Sequence, residues 1–214
     1  QHVVNGLMLG GIYGIIGAGF ALVYGVMNVL NVAHGSFIMM GAYVTVVVVG
    51  TFGINPFLAL PISALVMFAF GFIIQRVIIN RVLWASIFMT FILTFGLDMF
   101  LINGALAIGG GTFHSVPHVY RGESLSLAGL SIPYTRLLVL VAVIVIVLGL
   151  LLFMAKTRLG MAIKATALQK EAAQLSGINI NSIFAITFGI SAALAGVAGN
   201  LLSAVFPVSP FMGV

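Results

Sequence analysis

The sequence predicts an all-α polytopic membrane protein, and three observations predict it. Of the 214 residues, 62% are hydrophobic and only 5% are charged, whereas a soluble domain carries about 25% charged residues. Apolar runs of roughly 20 residues, the length a helix needs to cross the hydrocarbon layer, recur along the whole chain. The few basic residues stand at the ends of these runs rather than on one shared face. So little polar surface cannot cover a water-soluble core, and lipid must be the main solvent.

About six spans follow one another, at 3–26, 37–51, 57–79, 85–107, 137–155 and 183–206. The first repeats glycine at Gly6, Gly10 and Gly14, a spacing that lets helix backbones approach closely in lipid. The second is short and follows "NVLNVAHG", where Asn28, Asn31 and His34 are polar and Gly35 favours irregular backbone. Arg76 and Arg81 bracket the turn between the third and fourth spans. Trp84 opens the fourth at a depth that suits an indole. Asp98 falls near the middle of that span, counting 1.5 Å per residue. The segment 108–135 is rich in Gly, Ser and Pro, and with the alternation in "SLSLAGLSI" it predicts a small extracytoplasmic loop or hairpin. The sixth span carries the pairs Ala192–Gly196 and Ala195–Gly199, again at close-packing spacing.

Orientation follows from the basic residues, because short cytoplasmic loops carry the excess. Lys156, Arg158, Lys164 and Lys170 share a side with Arg76 and Arg81, and the opposite side keeps only Arg121 and Arg136. The loop 156–182 is therefore cytoplasmic. The net charge of +5 reflects topology and not nucleic-acid binding, which needs basic residues clustered on an exposed face.

The same composition excludes several chemistries. Cysteine is absent, which removes disulfides, thiolate metal sites and a cysteine nucleophile. The three acids, Asp98, Glu123 and Glu171, are scattered over a span, an outer loop and an inner loop, and no catalytic group assembles. No phosphate-binding glycine loop is present, so the chain is not expected to bind ATP itself. His114 and His118 are four apart, but Pro117 breaks a helical face between them and a solvated loop is the simpler reading. Asp98 has two readings: a transport or proton-relay carboxylate, or a carboxyl bonded to a neighbouring helix. "NVLNVAHG" has two as well, a place beside a translocation path or a plain cytoplasmic turn.

The most informative stretch is "KTRLGMAIKATALQKEAAQLSGININ", residues 156–181. From Ala162 to Ser176 every residue is compatible with a helix, and Gly177 supplies its stop. Leu168, Ala172 and Leu175 form a narrow apolar stripe flanked by Lys164, Lys170 and Glu171. A slim helix of this kind suits a groove on another protein.

Within that stretch Glu171, Ala172, Ala173 and Gly177 match the EAA loop of ABC importer permeases: Glu-Ala-Ala, three residues, then Gly. The block from Asn5 to Val44, "TRLGMAIKATA" before the loop, and "AALAGVAGNLLSAVFPVSPFMG" after it resemble branched-chain amino acid (LIV-type) permeases. The resemblance covers essentially the whole chain. It implies a multi-pass subunit of a bacterial or archaeal cytoplasmic membrane, without catalytic or metal site and without a cofactor of its own. ATP and Mg would be bound by partner ATP-binding cassette subunits. A second permease subunit and an extracytoplasmic solute-binding protein are the other partners implied. Coupling to the ATPase would fall to Lys164, Lys170, Glu171, Ala172, Ala173 and Gly177. The expected substrate pathway includes Asn28, Asn31, His34, Gly35 and Asp98. Two positions depart from the family pattern: Ser36 stands where many members carry Glu, and Asp98 where the family is more often neutral. Family members also continue with further spans, so a C-terminally incomplete permease is expected. Other readings are a permease for urea or short amides, and an ion-coupled transporter or channel using Asp98.

Overall fold

The computed structural model describes residues 2–82, 86–116, 124–127 and 130–213. Trp84, Pro117, His118, Arg121 and Glu123, all weighed above, lie outside the described residues. Eight α-helices are described: α1 His2–Met27, α2 His34–Phe52, α3 Leu60–Val77, α4 Ile87–Gly109, α5 Tyr134–Lys156, α6 Arg158–Leu168, α7 Lys170–Leu175 and α8 Ile180–Ser203. A 3-10 turn, Ile79–Arg81, follows α3. Six of the helices, α1 to α5 and α8, are long and apolar enough to cross a membrane.

Local chemistry explains several of the ends. Ser86 caps α4 by accepting a bond from the Met89 amide, and Asn179 caps α8 by accepting from Ser182. Gly53 closes α2 in the left-handed region, at φ 63°. The "SLSLAGLSI" alternation forms the expected hairpin, with β1 Ser124–Leu127 antiparallel to β2 Leu130–Pro133 and Leu127 opposite Leu130.

The bundle is built around α8, with α1, α2 and α3 against it. Small residues make that possible. A side chain on Gly199 would meet the Ile38 carbonyl and, at 2.8 Å, the Ala42 amide nitrogen, so α2 and α8 touch through their backbones. Phe37, fully buried, packs edge-on to Phe70 and Phe188 at 5.9 and 5.7 Å. Hydroxyl and amide side chains add ties between helices. Ser191 donates to the Gly19 carbonyl at 2.7 Å, Ser63 to Gly196 at 3.3 Å, and Asn200 to Pro56 at 3.2 Å.

The close-packing face expected on α1 is different. Side chains added at Gly6, Gly10 or Gly14 would meet nothing within 4 Å. The face that packs α1 onto the bundle instead holds Met8, Ile12, Ile15, Gly19 and Val23. Glycine spacing alone does not say which helix face a neighbour covers. At the other side of the bundle, Arg136 in the first turn of α5 donates to the Asn5 side chain and ties the outer ends of α5 and α1.

Candidate functional site

Two regions carry the polar chemistry of the cytoplasmic half: the α6–α7 loop and the break between α1 and α2. The predicted helix 162–176 is two helices. Gln169 adopts an extended backbone, φ −157° and ψ 109°, and separates α6 from α7. A straight helix would carry residues 170–175 away from the bundle. The break folds α7 back, so that Ala173 is buried in the core. Gly177 ends α7 at φ 82°, the left-handed stop expected from sequence. Thr157 starts α6 by accepting a bond from the Gly160 amide at 3.0 Å.

The outer surface of this loop is apolar and unpaired. Leu168 is 88% exposed and Leu175 is 91% exposed, and Ala172, Lys164 and Glu171 are exposed beside them. Lys170 differs from its neighbours. It turns inward, donating to the Met27 carbonyl at 3.4 Å, with its ammonium 5.4 Å from the centre of the Phe184 ring.

Met27 is the last residue of α1, and the chain then leaves the helix through Asn28. Asn28 has φ 56° and is the only non-glycine residue with positive φ among the described residues. From 28 to 33 the backbone is not helical. This segment is held by α4: the Thr94 hydroxyl donates to the Leu30 carbonyl at 2.9 Å and accepts from the Val32 amide at 3.3 Å. One helical turn further along α4, Asp98 accepts a bond from the Ser36 hydroxyl in the first turn of α2. His34 donates from Nε2 to the Ile16 carbonyl at 3.1 Å, because a carbonyl only accepts. Ile16 lies midway along α1, and Gly19 touches both His34 and Ser191, the midpoint of α8. The N-terminus of α2 thus sits inside the bundle and not at its cytoplasmic edge.

The expected pathway residues therefore separate. His34, Gly35 and Asp98 gather at the start of α2, where the Gly35 backbone abuts that of Gly213. Asn31 is buried in the break, and neither atom of its side-chain amide has a partner among the described residues. Asn28 is exposed at the lower end. Asp98 accepts its bond from a neighbouring helix, α2. Its partner is Ser36, the other departure from the family pattern. Sequence reasoning missed Thr94 and Met27 altogether. Thr90, Thr94 and Asp98 recur every fourth residue, a polar row on an apolar helix that could have shown Thr94. Nothing in the sequence marks a backbone carbonyl such as that of Met27. Gln75 was also missed: it is fully buried on α3, with both amide atoms unpartnered among the described residues.

In the segment after α4, His114 is described, while His118, the other half of the pair weighed from sequence, lies outside the described residues. The His114 backbone pairs with Val208 through two bonds of 2.9 and 2.8 Å, and its ring meets Tyr43 edge-on.

Six helices long and apolar enough to cross a membrane, packed around α8, define a polytopic membrane protein. Comparison with known proteins makes this specific: residues 2–214 match the family model for the permease component of branched-chain amino acid transport systems, and the chain belongs to that family. It is 32% identical over 214 residues to the high-affinity branched-chain amino acid transport system permease protein BraD of Pseudomonas aeruginosa, covering 94% of this chain and 70% of BraD. It is 30% identical over 226 residues to LivH of Escherichia coli K12, covering 100% of this chain and 73% of LivH. A probable LivH of Methanocaldococcus jannaschii is 32% identical over 210 residues, covering 93% and 64%. No solved structure matches the chain. The protein is the membrane subunit of an ABC importer, a multi-pass protein of the cytoplasmic membrane and not an enzyme. Membership of this family implies that nucleotide is bound on partner ATPases. It also sets aside the ion-coupled alternative built on Asp98.

Proposed function

We propose that the chain carries branched-chain or other hydrophobic amino acids inward, as one of two permease subunits served by an extracytoplasmic binding protein. Two ATP-binding subunits, which hold ATP and Mg, dock on the α6–α7 loop. The observation that carries this reading is the outward stripe of Leu168 and Leu175 beside Glu171 and Lys164. On the cytoplasmic side these leucines face water, where covering them with a partner removes apolar area at about 25 cal/mol per Å². The match of Glu171, Ala172, Ala173 and Gly177 to the EAA pattern supports the same surface. The substrate class rests on the names of the relatives and on the family model.

In this reading ATP shifts the population between inward- and outward-open bundles, and it does so only through contacts that differ between the two states. The α6–α7 surface supplies those contacts, and the 28–36 region with Asp98 lies beside the path. The test is charge reversal at Glu171. Glu171→Lys is expected to leave the bundle folded while ATP hydrolysis no longer drives leucine uptake; normal coupling in that variant would refute the docking surface. Competition of radiolabelled leucine uptake by valine, isoleucine, urea and acetamide decides the substrate class, with the first two expected to compete.

A further inference from the structure

We propose that Lys170 is a positioning residue of the transport cycle: it ties the first residue of α7 to the last residue of α1, so that movement of the cytoplasmic loop is passed to the break at 28–33 and on to α2 and α4. The inference rests on the reading of α6–α7 as the ATPase-docking loop and adds the route inward from it.

Four observations support the tie. Of the four basic residues from the end of α5 to the start of α8, Lys156, Arg158 and Lys164 are exposed, and only Lys170 is half-buried. A lysine present merely to set topology has no reason to fold inward. Second, its acceptor is a carbonyl at the end of α1, where the last four carbonyls of a helix lack intrahelical partners and the dipole favours a cation. The Phe184 ring of α8 lies against the same ammonium and fixes it in place. Third, Lys170 follows immediately on the extended Gln169, so α7 meets α6 at a joint and not along a continuous helix. Fourth, the residue after Met27 is the left-handed Asn28; the non-helical segment beyond it is held by Thr94, and the first turn of α2 that follows is held by Asp98 through Ser36. The chain of contacts is therefore continuous from α7 to α1, from α1 to the break, and from the break to α2 and α4.

The test compares Lys170→Met, which keeps the aliphatic stem, with Lys170→Arg, which keeps a donor cation, in the permease assembled with its ATPase subunits in lipid vesicles. Leucine imported per ATP hydrolysed is expected to fall about tenfold in Lys170→Met, within the range of ordinary coupling between sites, with the ATPase still bound. Lys170→Arg should stay within about twofold of the wild type. Amide hydrogen exchange of residues 28–33 in the same assembly should quicken in Lys170→Met and not in Lys170→Arg. Wild-type stoichiometry or unchanged exchange in Lys170→Met overturns the proposal, and so does equal impairment of both variants, which would mean that the cation is not what matters. If Lys170→Met does not accumulate, Lys170→Gln replaces it under the same criteria. Glu171→Lys separates the two levels. Should that variant bind the ATPase and couple normally, the docking reading fails, and the lysine tie is then decided by the exchange result alone.

Discussion

Helices α5 and α8 are nearly equal in length, 23 and 24 residues, and both cross the membrane. Within their apolar windows, 11% of α5 is buried in the bundle but 78% of α8. The more buried helix is the less greasy one. α5 is composed largely of Leu, Val and Ile, while α8 carries Gly189, Gly196, Gly199, Ser191, Thr187 and Asn200 among its alanines. In water the most apolar segment goes inside; in lipid the tails are as apolar as leucine, and helices associate through close packing and interhelical hydrogen bonds. Small and hydroxylated residues are therefore the mark of the interior here.

The largest expected effect tests this contrast at two glycines. Gly199→Leu must push α8 off the α2 backbone and should cost more than about 3 kcal/mol, which amounts to loss of the folded bundle. Gly149→Leu on α5, where an added side chain meets nothing within 4 Å, should stay within about 0.5 kcal/mol. Thermal unfolding in detergent reads both, and similar losses would break the comparison.

A smaller effect is expected at the polar ties. Ser191→Ala removes the bond to Gly19 and should lower stability by about 1 kcal/mol. Ile144→Ala, at a half-exposed position facing lipid on α5, should cost less than that. Denaturant titration of the two variants in one detergent ranks them, and the reverse order would contradict the role given to hydroxyls.

Gln75→Leu sharpens the picture in the other direction. Its amide is fully buried and unpartnered among the described residues. Replacement by an apolar side chain of similar size should raise stability by about 1 kcal/mol. A loss instead would show that the amide is bonded in the membrane, for example to an ordered water.

The smallest effect belongs to α1. Gly10→Leu points into open space and should leave the unfolding midpoint of the chain unchanged. A large shift would mean that α1 packs through its glycine face after all.

How much was legible in the sequence depended on whether a property is local. The six spans and the hairpin after α4 follow from composition within each segment. Gly177 as a stop follows from its own backbone freedom. The break at Gln169 was not legible, because every residue from 162 to 176 accepts a helix; what bends the chain is the burial of Ala173 and the bond from Lys170 to Met27. Lys170 was grouped with Lys164 and Glu171 because they share a loop, yet only Lys170 folds inward. Ser36 and Asp98 were noticed separately as departures from the family pattern. Only the packing of α2 against α4 brings their side chains together.

By itself, then, the sequence determined that this chain is a helical membrane protein with about six spans. It also marked residues 162–176 as helix-forming, although the structure breaks them at Gln169 into α6 and α7. These are consequences of transfer energies summed over neighbouring residues, and no tertiary contact is needed to evaluate them. Tertiary structure alone decided which glycine faces are covered, where α2 begins, and which lysine reaches the end of α1. Lipid does not distinguish one apolar helix face from another, so those choices fall to backbone fit and hydrogen bonds between residues far apart in the chain.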